Sequence, residues 1–464
     1  MAPSQRRVLV IGGSFAGLCV ARDMSTHFLV TIVDAKEFFE YTPGVLRAYV
    51  KPKHYDALSF NLHPVIESKM GCKFIWGEVL SLNGDDKTAT IKPMFTNKNE
   101  TIDFDYCIIC CGCNFGPFKP KGESLWFPTV HEVGRQVSEW KQFDERYIEG
   151  RRRHIWAEYQ AIKALEEKKS KLLVVGAGFI GVEWVTELQH FFPNLHLTII
   201  DFLALPLGPL PAYAKSYCVK YMNNHGINQK YETKKADTDE WYEQMGYGKG
   251  GRPDKEYVCV GVKASNYFMP GEVLSDKGPG GGGWILMDQT LAVMNKSDKS
   301  KWSVDSKGYS RVYAVGDCNY GCIEGPGKPG DWPIPPIPKI SYPGEEEAII
   351  ALRNVEKTDH LVFGSRTTDC FGGKLEISDM HWPWGAGMFA TSLGPDKACF
   401  VMGANWVPNS GYTVVYGQLC AVQKEFIEQS KTNECRMGIP GRLIWHFVHH
   451  TPLHLWGGGP RFGY

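Results

Sequence analysis

Two short stretches of the chain carry residues that could do chemistry on a phosphate: "VIGGSFAG" at 10–17 and "VVGAGFIG" at 174–181. A diphosphate is most cheaply held at a helix N-terminus, where free N–H groups and the helix dipole favour an anion. Glycines there let backbone meet phosphate and let the helix pack closely on the preceding strand. Gly176, Gly178 and Gly181 meet the G-x-G-x-x-G template. Gly12, Ser14 and Gly17 meet it with Ser in the second place, where Gly13 keeps the turn compact and the hydroxyl can itself donate to phosphate. Asp34 lies 22 residues beyond Gly12 and Asp201 lies 25 beyond Gly176, where a carboxylate accepts hydrogen bonds from ribose hydroxyls. Asp201 would also repel a 2′-phosphate. One such loop is a weak signal; two in one chain, each with its acid, is a strong one.

Each loop sits in a strand, turn, helix, strand order. "RVLVI", "LCVARDM" and "FLVTIVD" surround the first, and "KLLVV", "VEWVTELQHFF" and "LHLTIID" the second. The spacing predicts two βαβ units and an α/β fold with two Rossmann-like dinucleotide-binding domains. "CKFIWGEVLSLNGDDKTATIK" at 72–92 alternates as a hairpin does, and "IDFDYCIICCG" reads as an apolar strand closed by Gly112. The expected domains are 1–127 with 305–371, a helical connector over 128–170, 171–304, and a C-terminal α+β module over 372–464 with an amphipathic helix near 440–451. The "RRRH" run at 151–154 lies among Glu residues and reads as a solvated helix face.

Cysteine offers a rival chemistry. Four Cys crowd into "CIICCGC" at 107–113, and Cys107 with Cys110 forms a C-x-x-C. On a strand, positions three apart point to opposite faces, so these thiols diverge and read as buried, reduced side chains. The His446, His449 and His450 group has no Asp, Glu or Cys nearby to complete a ligand set, and no metal site is expected.

Four stretches, "VIGGSFAG", "VVGAGFIGVE", "YVCVGV" and "VYAVGDC", make the chain resemble the pyridine nucleotide-disulfide oxidoreductase superfamily of flavoproteins with two dinucleotide-binding domains. The resemblance runs over roughly residues 8–355 and leans toward type II NADH dehydrogenases and the ferroptosis-suppressor or apoptosis-inducing-factor-like proteins. It implies FAD on the first loop (Gly12, Gly13, Ser14, Ala16, Gly17, with Asp34 and Lys36). It implies NADH, more than NADPH, on the second (Gly176, Gly178, Phe179, Ile180, Gly181, with Asp201 and Gly261). Val79 would face the adenine, Gly112 would close the FAD strand, and Asp317 would accept hydrogen bonds from the ribityl or pyrophosphate side. Lys339 and Tyr342, in "PKISYPGEEEAI", match a helix start beside the flavin and the quinone entrance; Glu183 matches an acid near nicotinamide and quinone. The Cys-x4-Cys that disulfide reductases carry after the first βαβ unit is missing from "AKEFFEYTPGVLRAYV". Departures from the family pattern are Cys110-Cys111 in place of Ala-Thr and insertions near 240–256, 274–284 and between Asp317 and Lys339.

The implied reaction is hydride transfer from NADH to flavin N5, then two electrons to a quinone. An FAD-containing accessory subunit without turnover and a reductase of a small iron–sulfur protein remain as alternatives. Lys+Arg and Asp+Glu are both 51, and that balance argues against a nucleic-acid partner. With the first strand beginning near Val8, no cleavable targeting segment is expected. No run of about 18 apolar residues occurs. The expected location is cytoplasmic or peripheral on a membrane, with an internal mitochondrial signal left open. Expected partners are a quinone or other small acceptor, a membrane surface or partner subunit at the C-terminus, and a second copy of the chain.

Overall fold

The computed structural model describes residues 6–115, 146–208, 210–321, 339, 341–364, 368, 372–380, 388–402 and 413–450. The Pro-rich run 330–338 and the tail 451–464 lie outside them.

The fold is mixed α/β on parallel sheets. In the first, the strands run Val312–Ala314, Tyr106–Ile109, Arg7–Ile11, Leu29–Asp34, Lys73–Asn83, Thr88–Pro93, Glu100–Asp103. Pairing is parallel as far as Asp34↔Trp76 and antiparallel in the outer strands, where the expected hairpin pairs Val79 with Ile91. The second sheet runs Asn228–Lys230, His196–Ile200, Lys171–Val175, Lys255–Val258, all parallel. The central strands are apolar throughout because helices or irregular chain cover both faces. Crossover helices Phe15–Met24 and Phe179–Phe191 follow the two glycine turns. Beyond the ends of the core strands, Cys113–Phe115 pairs antiparallel with Val262–Ala264 and ties the two units together.

Packing corrects three expectations. Residues 268–304 belong with the first sheet, although the sequence reading gave them to the second unit. Phe268, Met269, Val273, Ile285 and Val293 share one apolar cluster with Leu9, Ile11, Val33 and Ile109. Val293 N donates to Val312 O at 3.0 Å, and Ala314 N to Leu291 O at 3.1 Å. These contacts are isolated bridges between distant residues, so they leave no period in the sequence.

The "RRRH" run is not uniformly solvated. The helix Ile148–Glu167 joins the units, and Arg151 on it is fully buried. Its Nε donates to Glu40 Oε2 at 2.9 Å and its Nη1 to Tyr49 Oη at 2.7 Å. One end of the helix is thus fixed to the first unit. Further along, Glu158 accepts from Tyr257 Oη at 2.5 Å and pairs with Lys255, both on the edge strand of the second. Only the part of the expected connector from 146 onward falls within the described residues.

The C-terminal module has three antiparallel strands, Met388–Leu393, Lys397–Met402 and Thr413–Gly417, then helices Gln418–Cys435 and Ile439–His450. The last helix is the amphipathic one expected near 440–451, whose apolar residues would share one face. The structure divides them: Trp445 is buried under Ser430, to which its Nε1 donates at 3.2 Å, while Leu443 and Phe447 face outward.

Removing one member of a buried ion pair strands its partner's charge, at about 3–5 kcal/mol, whereas exposed pairs give about 1 kcal/mol or less. Arg151→Ala should therefore lower unfolding free energy in urea by about 3–5 kcal/mol. Its neighbour Arg152, on exposed Asp56 and Glu149, should cost under about 1 kcal/mol when changed to Ala. Equal losses would refute the strut.

Candidate active site

The two glycine turns are built alike, atom for atom. Gly12 N donates to Val33 O at 2.8 Å, and Gly176 N to Ile200 O at 2.8 Å. Asp34 Oδ2 accepts from Gly13 N at 2.6 Å, and Asp201 Oδ2 from Ala177 N at 2.6 Å. Each acid's other oxygen takes the amide two residues on, Lys36 N at 2.7 Å and Leu203 N at 2.8 Å. Gly12 and Gly176 have φ of +107° and +100°, which only glycine adopts without strain. A Cβ on Gly17 would lie 1.8 Å from Gly12 O, and one on Gly181 would lie 1.8 Å from Gly176 O. The helices therefore start directly against the turns. Ser14-Phe15-Ala16 and Gly178-Phe179-Ile180 are the half-buried residues at these starts, and the Ser14 hydroxyl makes no capping bond to its own helix. A Cβ at Gly178 would meet nothing within 4 Å, so the backbone there lies open.

Gly112 and Gly261, with φ of +68° and +86°, end the strands that flank the turns. Val79 is buried in the cluster with Leu9 and Val33. Its side chain is core, so an adenine at this position would meet its backbone. Pairing with Leu29–Asp34 stops at Trp76, so that neighbour leaves the Val79 backbone edge unpaired.

At the end of Val312–Ala314 the chain turns through Gly316, Asp317 and Cys318. Burial pushes the Asp317 carboxyl up to about 6, opposed by the Lys339 charge. The Lys339 ammonium donates to Asn319 O and stands 4.5 Å from the centre of the buried Trp284 ring. The helix Ser341–Phe363 starts against this turn: a Cβ on Gly344 would lie 3.1 Å from Gly316 Cα. Burial, then Glu346 and Glu345, pushes the Tyr342 phenol far up. Lys339, Asp317 and Tyr342 are thus gathered at one turn and helix start.

Glu183 sits elsewhere. Its Oε1 accepts from Ser392 N at 2.8 Å and pairs with Lys424, both in the C-terminal module. The groove beside it is lined by Pro43, Gly44, Arg47 and Glu187, with Arg47 Nη2 2.6 Å from Glu187 Oε1. Phe179 stacks on Phe389 with ring centres 5.0 Å apart. The C-terminal module therefore closes over the second loop.

Sequence reasoning missed Lys424, Trp284, Asn319 and Tyr41. Tyr41 meets Phe15 edge-on at 5.6 Å. Burial pushes its phenol up, with the charges of Glu428, Glu345 and Glu183 adding to it. Only Tyr41 left a trace, in the aromatic run "FFEY".

Cys107 and Cys110 pack into different apolar clusters, as their spacing requires, and the twelve described cysteines are all free. Among the described residues no group of three or more His, Cys, Asp or Glu could hold a metal ion.

The family model for pyridine nucleotide-disulphide oxidoreductases matches residues 6–336. A type II NADH:quinone oxidoreductase of Staphylococcus epidermidis is 24% identical over 391 residues, covering 80% of this chain and 88% of that protein. One from Staphylococcus aureus is 23% identical over 425 residues, covering 86% and 94%. Among solved structures, sulfide:quinone oxidoreductase of Aquifex aeolicus superposes with a TM-score of 0.67 at 13% identity, covering 99% of this chain and 100% of that one. NDH2 of Plasmodium falciparum in complex with NADH gives 0.61 at 12%, covering 94% and 98%. These two show the shared fold. Twin glycine turns with the same carboxylate brace, and a family match over most of the chain, place this protein in the pyridine nucleotide-disulphide oxidoreductase family, as an oxidoreductase.

Proposed function

We propose that the chain is an FAD-dependent NADH:quinone oxidoreductase. The duplicated turn carries the reading: two anion cradles of one design suit one resident and one exchanging dinucleotide. The first fits the flavin because Gly12 and Gly17 let strand, turn and helix approach closer than any Cβ would allow, and because the Ser14 hydroxyl is unspent on its own helix. Bound there, FAD would supply the hydride acceptor and two-electron donor. The names of the staphylococcal relatives support a quinone as oxidant.

The rest is the work of this chain's residues. Gly12–Gly17 and Gly176–Gly181 offer amides to the two diphosphates, while Asp34 and Asp201 hold the turns and present carboxylate to ribose. Asp201 disfavours a 2′-phosphate and so selects NADH. Asp317 accepts from the ribityl side. Lys339 brings a cation to a site where negative charge develops, and Tyr342 lines the acceptor side. Glu183, fixed by Lys424 and the Ser392 amide, borders the groove where the second loop meets residues 43–47.

The C-terminal module suits a lipid-borne quinone. Ile439, Leu443 and Phe447, four residues apart, are 70%, 66% and 53% exposed. The packed neighbouring helix adds exposed Leu419, Val422 and Phe426. Among the described residues no helix is long and apolar enough to cross a membrane. We infer that this face lies on a membrane surface.

Protein purified without added cofactor should be yellow, bleach on anaerobic NADH and recover with a short-chain quinone. Recovery with an iron–sulfur protein alone would make it a different reductase, and failure to bleach would make it an accessory subunit. Gly17→Ala should yield colourless protein, and Gly181→Ala yellow protein that NADH no longer bleaches. Lys339→Met should lower kcat by about a hundredfold. For the surface, wild type should co-sediment with phospholipid vesicles. Because a buried Leu or Phe contributes about 1.5–3 kcal/mol, L443D with F447D should weaken that binding by at least about tenfold. Undiminished co-sedimentation would exclude this face.

A further inference from the structure

Glu347 braces the Gly316–Cys318 turn from behind. Its Oε2 accepts from Gly316 N and from Asn319 Nδ2, each at 2.6 Å. Its Oε1 has no hydrogen-bond partner, although the residue is only 1% exposed. A bare carboxylate oxygen sealed from water is costly, whereas a proton on that oxygen removes the charge and leaves both bonds to Oε2 intact. The close approach of Gly344 to Gly316 lets nothing come between helix and turn, so a shift at Glu347 is passed to Asp317.

We propose that Glu347 is a positioning residue of the flavin site, whose neutral carboxyl group holds the turn bearing Asp317 in its binding shape and whose ionisation weakens flavin binding. The proposal rests on the flavin reading of the first loop. Burial pushes the Glu347 carboxyl up to about 8; the Gly316 amide, Lys339 and Asn319 act against this, and the Asp317 charge adds to it. The groups that face it are Asp317 and Asn319 from the turn, Lys339 from the segment before the helix, and the Cys110 thiol from the neighbouring strand end. Arg22, on the adjacent helix, is engaged with Asp23 and Glu434. An acid raised in this way is neutral below about 8 and anionic above, so its charge appears beside Asp317 as pH rises.

The test is the flavin dissociation constant from pH 7 to 9.5, followed by flavin fluorescence on the full chain. Wild type should weaken by about tenfold across that range, equivalent to one pKa unit of coupling. Glu347→Gln, which keeps an acceptor for Gly316 and Asn319 but cannot ionise, should lose the step. Asp317 titrates near 6, below the window. Glu347→Ala should release flavin at least about tenfold faster at every pH, since both turn donors lose their acceptor. A wild-type step surviving in E347Q, or wild-type affinity in E347A, would overturn the proposal. If E347A does not fold, the E347Q profile decides alone. Wild type that binds no flavin at pH 7 would strike down the cofactor reading instead.

Discussion

A single carboxylate-to-amide bond, made twice, organises this molecule. Asp34 and Asp201 close each βαβ unit by catching the amide of the residue after the first glycine. The bond joins the end of each unit's second strand to the glycine turn that opens the preceding helix, beside the helix start where a diphosphate would sit. It leaves the amides further along, at residues 14–16 and 178–180, at an open helix start. Were the turn to relax, helix and strand could no longer approach within the space that only Gly17 and Gly181 allow.

Two such units have to face one another for chemistry to pass between them, and the chain uses charge buried at joints to achieve it. Arg151 on Glu40 and Glu158 on Lys255 pin the connecting helix near its start and at its middle. A second network runs from Arg22 through Glu434 and Lys431 to Glu345, linking the first crossover helix, the C-terminal module and the helix Ser341–Phe363. Buried ion pairs add little net stability over an apolar contact, but they tolerate few alternative arrangements. In this molecule they lie where separate units meet, which fits a role in fixing orientation.

How much of this the sequence disclosed follows from the range of each interaction. The glycine turns, their acids, both parallel cores and the hairpin at 73–93 were legible, because each is written within about thirty residues as period and turn chemistry. Residues 268–304 were misplaced because their partners lie in strands at 9–11 and 312–314, joined by lone bridges. Arg151 looked solvated since neighbours in sequence are charged, while its actual partner, Glu40, is 111 residues away. Glu345, Glu346 and Glu347 are three consecutive acids, and all three are buried. Proximity in space, which no local pattern encodes, decided each of these cases.

The C-terminal module explains why Glu183 is held apart from Lys339. A carboxylate on a crossover helix is ordinarily free to follow solvent. Here Lys424 and the Ser392 amide hold it, and Phe389 covers the neighbouring Phe179, so the second nucleotide loop is roofed by strands from 388–402. The same module leaves Leu419, Val422, Phe426, Leu443 and Phe447 exposed. On the proposed reading, a body that clasps the second loop and also offers Leu443 and Phe447 would tie the approach of a hydride donor to contact with lipid. Lys339 and Tyr342 are gathered instead at the Gly316–Cys318 turn, so on the proposed reading donor and acceptor residues would rest on different supports. Separate supports would let the chain keep the Gly316–Cys318 turn rigid while the C-terminal module adapts to a surface.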